Sequence, residues 1–263
     1  MAFGQIVLSV PEPSAGSVTA DHEPAQFHIA RTCGEVQACW RLVYRCYMQK
    51  DLIHANRFAM HTTPQALNHD TAVVFGKTAG RIDTTLTVIP DGPHGLPLDK
   101  VYPQLLANLR HQGRRLVETG LLAGDRGDVG QGVGQAFGTM RLAFYRALHT
   151  QSDIVIGVHP RHADFYVRML GFEVIGPLSS HPTVTDHPVV PLLLEPSRIR
   201  RERLPRLLRH IRDNPVEASL FDHRFDFHKS SVASSDIERY LHHATHTERT
   251  SHQYIVQAPA TVA

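Results

Sequence analysis

The run from Arg114 to Pro160 constrains the fold more than any other part of the chain. "RRLVETGLLA" is an apolar β-type segment and "GDRGDVGQGVG" is glycine-rich. "QAFGTMRLAFYRALHT" carries apolar residues at helical spacing, and "SDIVIGVHP" is apolar and β-type again. Strand, glycine-rich loop, helix and strand in this order make a βαβ unit, which requires a sheet with a helix packed on its face. Upstream, "TAVVFGK" and "GRIDTTLTVIP" flank a tight junction at Thr78, Ala79 and Gly80, the signature of an antiparallel hairpin. Downstream, "VHPRHADFYVRMLGFEVIGP" predicts one helix from about His162 to Leu170 between two strands, with Gly171 in the left-handed position after the helix end. A strand near Gln26, a helix over "GEVQACWRLVYRCYMQK", a helix from about Tyr102 to Arg110 and a last strand in "HPVVPLLLEP" complete the order β, α, β, β, α, β, α, β, α, β, β. Hairpins mixed with βαβ units predict a mixed sheet covered by helices.

Three regions follow from this pattern: a loose arm over residues 1–25, a folded domain over 26–196, and an Arg/His-rich helical C-terminal extension over 197–263. With 263 residues, 42% of them hydrophobic, the chain has enough apolar material for a real core. No run of about 18 apolar residues predicts a membrane span. The first twenty residues lack the basic start and apolar centre of a secretory signal, and Cys33, Cys39 and Cys46 form no metal pair, so a cytoplasmic protein with reduced thiols is expected. The 27 basic and 25 acidic side chains nearly balance, but their distribution is uneven. "RIRRERLPRLLRHIR" concentrates seven arginines, either as a landing surface for an acidic partner or as the wet face of a helix whose Ile199, Leu204, Leu207, Leu208 and Ile211 pack inward.

Three places can carry chemistry. Glycine-exposed backbone N–H groups at a helix start can cradle phosphate, and Gln131, Gly132 and Gly134 fit the Gln/Arg-x-x-Gly-x-Gly/Ala spacing that acyltransferases use for a pantetheine pyrophosphate. A plain glycine-rich turn is the alternative. Glu118 interrupts an apolar strand, where burial raises a carboxyl pKa and suits it to accept a proton; a wet strand face, or pairing with Arg45, Arg114 or Arg115, are the alternatives. Tyr166, on the helix before "LGF", is either a proton donor or a packing residue. A metal site at His242 and His246 in "YLHHATH" lacks a convincing carboxylate or cysteine, and no metal is expected.

Together these features resemble the acyltransferases of the GNAT superfamily, and within it the N-acyl amino acid synthases of the FeeM type, relatives of the acyl-homoserine-lactone synthases. "WRLVYRCYMQKDLI", "VIPDGPHGLPLDKVYPQLLANLRHQGRRLVETGLLA", "VHPRHADFYVRMLGFEVIGP" and "HPVVPLLLEP" carry the resemblance. It implies an α/β (α+β) fold, a GNAT-like mixed, mostly antiparallel central sheet flanked by helices. It also implies transfer of a long acyl group from an acyl-carrier-protein thioester to the α-amino group of an amino acid, with no permanently bound cofactor. Glu118 would take or relay the amine proton, and backbone N–H groups near Leu121 and Leu122 would hold the oxyanion. Tyr166 would protonate the thiol, and Arg41, Arg45 or Arg57 would hold the acceptor carboxylate. Lactone synthases carry arginines where this chain has Val43 and Leu121, which argues against a lactone product. The apolar runs Val73 to Phe75, Leu121 to Leu122 and Val190 to Leu194 are expected to line an acyl tunnel.

Carrier protein docking falls to the arginine-rich block with Arg141, Arg146 and Arg161. Nucleic acid is not an expected partner, and contact with membranes is expected only through a lipid-like product. Two alternatives share these motifs: an acetyl-CoA-dependent N-acetyltransferase, and a non-catalytic acyl-binding protein on the same fold.

Overall fold

The computed structural model describes residues 26–125, 129–200, 203–228 and 237–241, and the side chains at 129–133 lie outside the described set. The expected arm over 1–25 and the pair His242 and His246 lie outside the described residues. The elements run β1 (Gln26–Ile29), α1 (Cys33–Met48), β2 (Ala72–Thr78), β3 (Arg81–Pro90), α2 (Pro103–His111), β4 (Leu116–Gly124), α3 (Val129–His149) and β5 (Asp153–Val158). Then follow α4 (Pro160–Phe165), a π-helical turn (Tyr166–Leu170), β6 (Glu173–Val174), β7 (Ser179–His181), β8 (His187–Leu194) and α5 (Arg206–Asp213). The expected order holds, with the short β7 added before the last strand.

Local chemistry sets the element ends. Thr32 and Glu35 form a reciprocal capping box at the start of α1: the Thr32 hydroxyl accepts from Glu35 N–H at 3.2 Å, and the Glu35 carboxylate accepts from Thr32 N–H at 3.1 Å. The β2–β3 hairpin turns on Ala79 and Gly80, both with positive φ, as its two-residue loop demands. Gly171, with φ +75°, ends the π-helical turn in the left-handed position. Two boundaries differ from expectation. Residues 129–134 begin α3 rather than a loop, because the apolar face of this long helix outweighs the helix penalty of its glycines. The single helix expected over His162–Leu170 starts at Pro160 and widens to a π-helix at Tyr166.

One sheet in the order β1-β2-β3-β4-β5-β8-β6, with β7 on β8, organises the molecule. Every pairing is antiparallel except β4 with β5. Strand alternation divides the core between the two faces. Val73 and Phe75 of β2 pack with Trp40 of α1, while Ala72 and Val74 pack with Leu142 and Phe144 of α3. A third cluster joins Leu98 and Leu106, from the α2 region, to Leu116 and Val155. Residues after 196 enter these same clusters: Ile199, Leu208, Ile211 and Phe221 join the α3 side, and Phe227, Ile237 and Tyr240 join Trp40. No helix among the described residues is long and apolar enough to cross a membrane.

Phe221 is 1% exposed in the α3 core, and the Arg146 guanidinium lies 5.3 Å from its ring centre. Phe221→Ala is expected to lower stability by about 3–5 kcal/mol, the usual cost of emptying an aromatic core position. Urea unfolding of the two proteins measures the difference, and a change below about 1 kcal/mol would show that this segment is not part of the cooperative core.

Candidate active site

The parallel pairing of β4 and β5 stops early. Leu116, Val117 and Glu118 face Asp153, Ile154 and Val155, and beyond that point β4 stays with β3 while β5 stays with β8. The register of β3 against β4 jumps from Thr87↔Gly120 to Thr85↔Ala123, so Leu121 and Leu122 oppose the single residue Leu86. Leu121 takes φ +54°, an uncommon conformation for a branched residue, and this bulge redirects the strand. A wedge therefore opens between β4 and β5, with Glu118 and Val155 at its apex.

A cavity of about 140 Å³ fills the wedge. Thr119 to Leu122 form one wall, and Ile154, Ile156, Gly157 and Val158 contribute the other. Met140, Ala143 and Phe144 of α3 cover one side, Tyr166, Leu170 and Phe172 close the α4 end, and Ile211 of α5 also reaches it. A side chain added at Gly120 would meet nothing within 4 Å, so glycine leaves this wall open. Of the expected tunnel residues, Leu121, Leu122 and Leu194 line the cavity. Val73 and Phe75 instead belong to the core under α1, and Val74 to the core under α3, because alternation along β2 turns them into the two layers.

Two tyrosines reach this space from different elements. Tyr166 comes from the π-helical turn, its ring edge-on to Phe172 at 5.7 Å, and its burial pushes the phenol pKa up to about 12. The ring keeps some accessible surface because it lines the cavity, yet the surrounding protein still desolvates its hydroxyl. Tyr47 comes from the last turn of α1, on the opposite side of the sheet, and its pKa is also raised, first by burial, then by Cys46 and Tyr166. His61 packs 5.5 Å from the Tyr47 ring centre, with its own pKa lowered to about 4 by burial. Helical spacing alone marks Tyr47 as a packing residue, and only the sheet's opening shows that it lines the cavity.

Glu118 is 6% exposed and accepts a hydrogen bond from Leu98 N–H at 2.8 Å. Burial raises its pKa to about 8, against the lowering effect of that hydrogen bond, and the nearby Asp99 adds to the rise. The segment that presents Leu98 is clamped. Arg110 binds Asp91 at 2.6 Å and Asp99 at 2.6 Å, Asp99 accepts from Leu96 N–H at 2.7 Å, and Asn68 donates to the carbonyls of Pro90 and Gly95. The arginines considered as partners for Glu118 lie elsewhere: Arg45 pairs with Asp125 at 3.2 Å, Arg114 binds Asp153 and Glu195 at 2.6 and 2.8 Å, and Arg115 is exposed. Glu118 itself is not part of the cavity lining; it sits at the apex, next to Thr119, which is.

The remaining expected residues are spread out. Gln131, Gly132 and Gly134 fall in the first two turns of α3, and a side chain added at Gly134 would meet open space. The side chains at 131 and 132 lie outside the described residues. Arg41 is exposed, and the exposed Arg57 stacks over Phe58 with its guanidinium 4.8 Å from the ring centre. Neither Arg45 nor Arg57 lines the cavity. Arg161 is exposed, and Arg141 donates to the Asn214 carbonyl at 3.4 Å. Arg146 is corrected as a docking residue: its side chain is 13% exposed and packs over Phe221.

The N-acyl amino acid synthase FeeM family model matches residues 38–195, which span every strand and helix lining the wedge except α5. The chain belongs to this family. Its members are acyltransferases, and the fold agrees. The solved structure of FeeM, an N-acyl amino acid synthase from uncultured soil microbes, is 24% identical with a TM-score of 0.60, over 67% of this chain and 92% of that one. The CoA-dependent acyl-homoserine lactone synthase BjaI, solved with SAM and isopentyl-CoA, is 13% identical with a TM-score of 0.53, over 76% of this chain and 99% of that one. TofI, solved with an inhibitor and MTA, is 16% identical with a TM-score of 0.51, over 66% of this chain and 92% of that one. At these identities the structural matches establish the GNAT-like fold of the family. No curated protein matches the sequence significantly.

Glu118 makes stability depend on pH. Its folded pKa of about 8 exceeds the unfolded value near 4.5, so the native state binds the extra proton between those limits. The stabilisation is complete below the unfolded pKa and is lost as pH rises through about 8. Glu118→Gln keeps an oxygen for Leu98 N–H and removes the titration. The variant is expected to unfold with a flatter stability profile from pH 5 to 8, and to gain on the native protein by a few kcal/mol at the alkaline end. Parallel profiles for the two proteins would show that Glu118 titrates normally.

Proposed function

We propose that this protein transfers a fatty acyl group from an acyl-carrier-protein thioester to the α-amino group of an amino acid. The observation that supports it most is the apolar wedge between β4 and β5, which has a buried carboxyl at its apex and two neutral phenols on its walls. An acyl chain needs an apolar slot, and a thioester carbonyl needs donors aimed at the oxygen that becomes negative. The bulged backbone at Leu121 and Leu122 is the candidate for those donors, because the bulge locally breaks the ladder with β3.

In this reading the pantetheine arm lies along the wedge, with its phosphate toward the N-terminal end of α3, where Gln131, Gly132 and Gly134 occupy the first two turns. The neutral amine of the acceptor attacks the thioester carbon. Ionised Glu118 takes the amine proton through water, since the carboxyl lies at the apex behind the cavity wall. The tetrahedral oxyanion rests on the N–H groups of the bulge, the carbon–sulfur bond breaks, and Tyr166 gives its proton to the departing thiolate. A phenol with a pKa of about 12 is protonated at neutral pH and so carries the proton that the departing sulfur takes as the carbon–sulfur bond breaks. Tyr47 shares the pocket with Tyr166 and is the second candidate for this proton. Arg45 and Arg57 remain candidates for holding the acceptor carboxylate, each after leaving its present contact.

One observation favours a second reading, an acetyl-CoA-dependent N-acetyltransferase. The cavity of about 140 Å³ is smaller than most small-molecule sites, which run from about 300 to 1,000 Å³, and a short acyl group fills it without rearrangement. Incubation with long-chain acyl carrier protein plus amino acids, and separately with acetyl-CoA plus amino acids, distinguishes the two. N-acyl amino acids detected by mass spectrometry in the first mixture are the expected result, and acetyl transfer alone would reject the fatty-acyl reading. With the competent donor, Glu118→Gln is expected to lose about 10²- to 10⁴-fold in rate while still binding it. The native rate is expected to climb as pH rises toward about 8, where Glu118 ionises, and the variant lacks that limb.

A further inference from the structure

The cavity wall contains one side chain, among the described residues, from outside the span matched to the family: Ile211 of α5. This helix is short and strongly two-faced. Leu208 and Ile211 are 2% and 1% exposed, whereas Arg206, Arg209, His210 and Arg212 face solvent. Its buried face lies across both helical walls of the wedge. Toward the α4 side, a side chain added at Gly171 would meet Pro205 at 3.3 Å and Leu208 at 3.9 Å, so α5 rests directly on the end of the turn that carries Tyr166. Toward α3, the Tyr145 hydroxyl donates to the Ile211 carbonyl at 2.9 Å, and Arg141 donates to the Asn214 carbonyl at 3.4 Å.

The Ile211 carbonyl also accepts from Asn214 N–H at 3.2 Å, and the two bonds from α3 tie this end of α5, and with it Ile211, to the helix that covers the cavity. Tyr145 is itself 5% exposed, so the donor is held as firmly as the helix it holds. The result is a floor whose position is set by a hydrogen bond from α3 and whose surface is one branched aliphatic side chain.

We infer that α5 closes the far end of the acyl cavity and that Ile211 sets the longest acyl group this chain accepts. This rests on the acyl-transfer reading above. The chemistry is steric: a chain that reaches Ile211 must displace it or stop short, and one methylene accommodated or rejected changes selectivity by roughly tenfold or more.

Competing saturated acyl-carrier-protein thioesters, graded from short to long, test the inference by the ratio of products formed on a common amino acid. Ile211→Ala is expected to move the preferred length upward, with at least about a tenfold gain in the long-to-short ratio, and Ile211→Phe to move it downward. Ile211→Val, which preserves shape and fold, is expected to give a smaller upward shift, and Arg209→Ala on the wet face none. Thermal melting of each variant establishes that it is folded. An unchanged length preference in folded Ile211→Ala and Ile211→Val would overturn the floor while leaving acyl transfer intact. Failure of the native protein to consume any member of the series would instead overturn the acyl-transfer reading, and the floor with it.

Discussion

Everything at the candidate site depends on where two parallel strands stop pairing. β4 and β5 share only three residue pairs, ending at Glu118 and Val155. Had they continued, Ile156 to Val158 would lie against β4 and no cavity would exist. The separation has a local cause in the bulge at Leu121 and Leu122, which commits the end of β4 to β3, and a distant one in β8, which holds β5 along five residue pairs. Backbone hydrogen bonding in a buried sheet must be satisfied somewhere. A strand that parts from its neighbour therefore leaves polar backbone groups facing the gap, available to a ligand with a polar carbonyl.

The electrostatic design follows from the same geometry. Several charged groups on the segments flanking β4 and β5 are paired: Arg110 with Asp91 and Asp99, Arg114 with Asp153 and Glu195, Arg45 with Asp125. Glu118 is instead held by a neutral backbone donor, and its buried charge remains costly enough to lift its pKa to about 8. An arginine beside it would have pulled that pKa down and made the carboxylate a poor proton acceptor. The Arg110 clamp on Asp91 and Asp99 thus matters in two ways. It fixes the segment that offers Leu98 N–H, and it holds in place Asp99, whose charge adds to the rise in the Glu118 pKa.

The scaffold was largely legible in the sequence because its signals are local. The turn residues Ala79 and Gly80, the terminal Gly171 and the apolar β4 segment each act over a few positions, and the structure uses them as their chemistry predicts. The burial of Glu118 was legible as one of several alternatives, since an acid in an apolar strand must be either paired or perturbed. What stayed hidden depends on tertiary placement. Tyr47 shares its spacing with the packing residues Val36, Trp40 and Val43, and nothing local distinguishes the residue that overlooks the wedge. The start of α3 is not legible locally, because the glycines of 129–134 speak against a helix there, while Leu142, Phe144 and Tyr145 further along anchor it in the core.

The C-terminal residues show the same limit most clearly. Read alone, residues 198–212 are a basic block with an inward apolar stripe, and the stripe proves to be the part with structural consequence. Ile211 was visible as a packing residue; that it packs against an opening in the sheet was not. Phe221, Phe227, Ile237 and Tyr240 are separated by polar and turn-forming residues, so no periodic pattern marks them, yet each is buried against α1 or α3. A region with weak local signals can still complete a core when the domain before it leaves apolar surface uncovered. Here that surface includes the open end of the wedge between β4 and β5. One residue that finishes the fold, Ile211, thereby also lines its cavity, so the packing of α5 and the shape of that cavity are set by the same side chain.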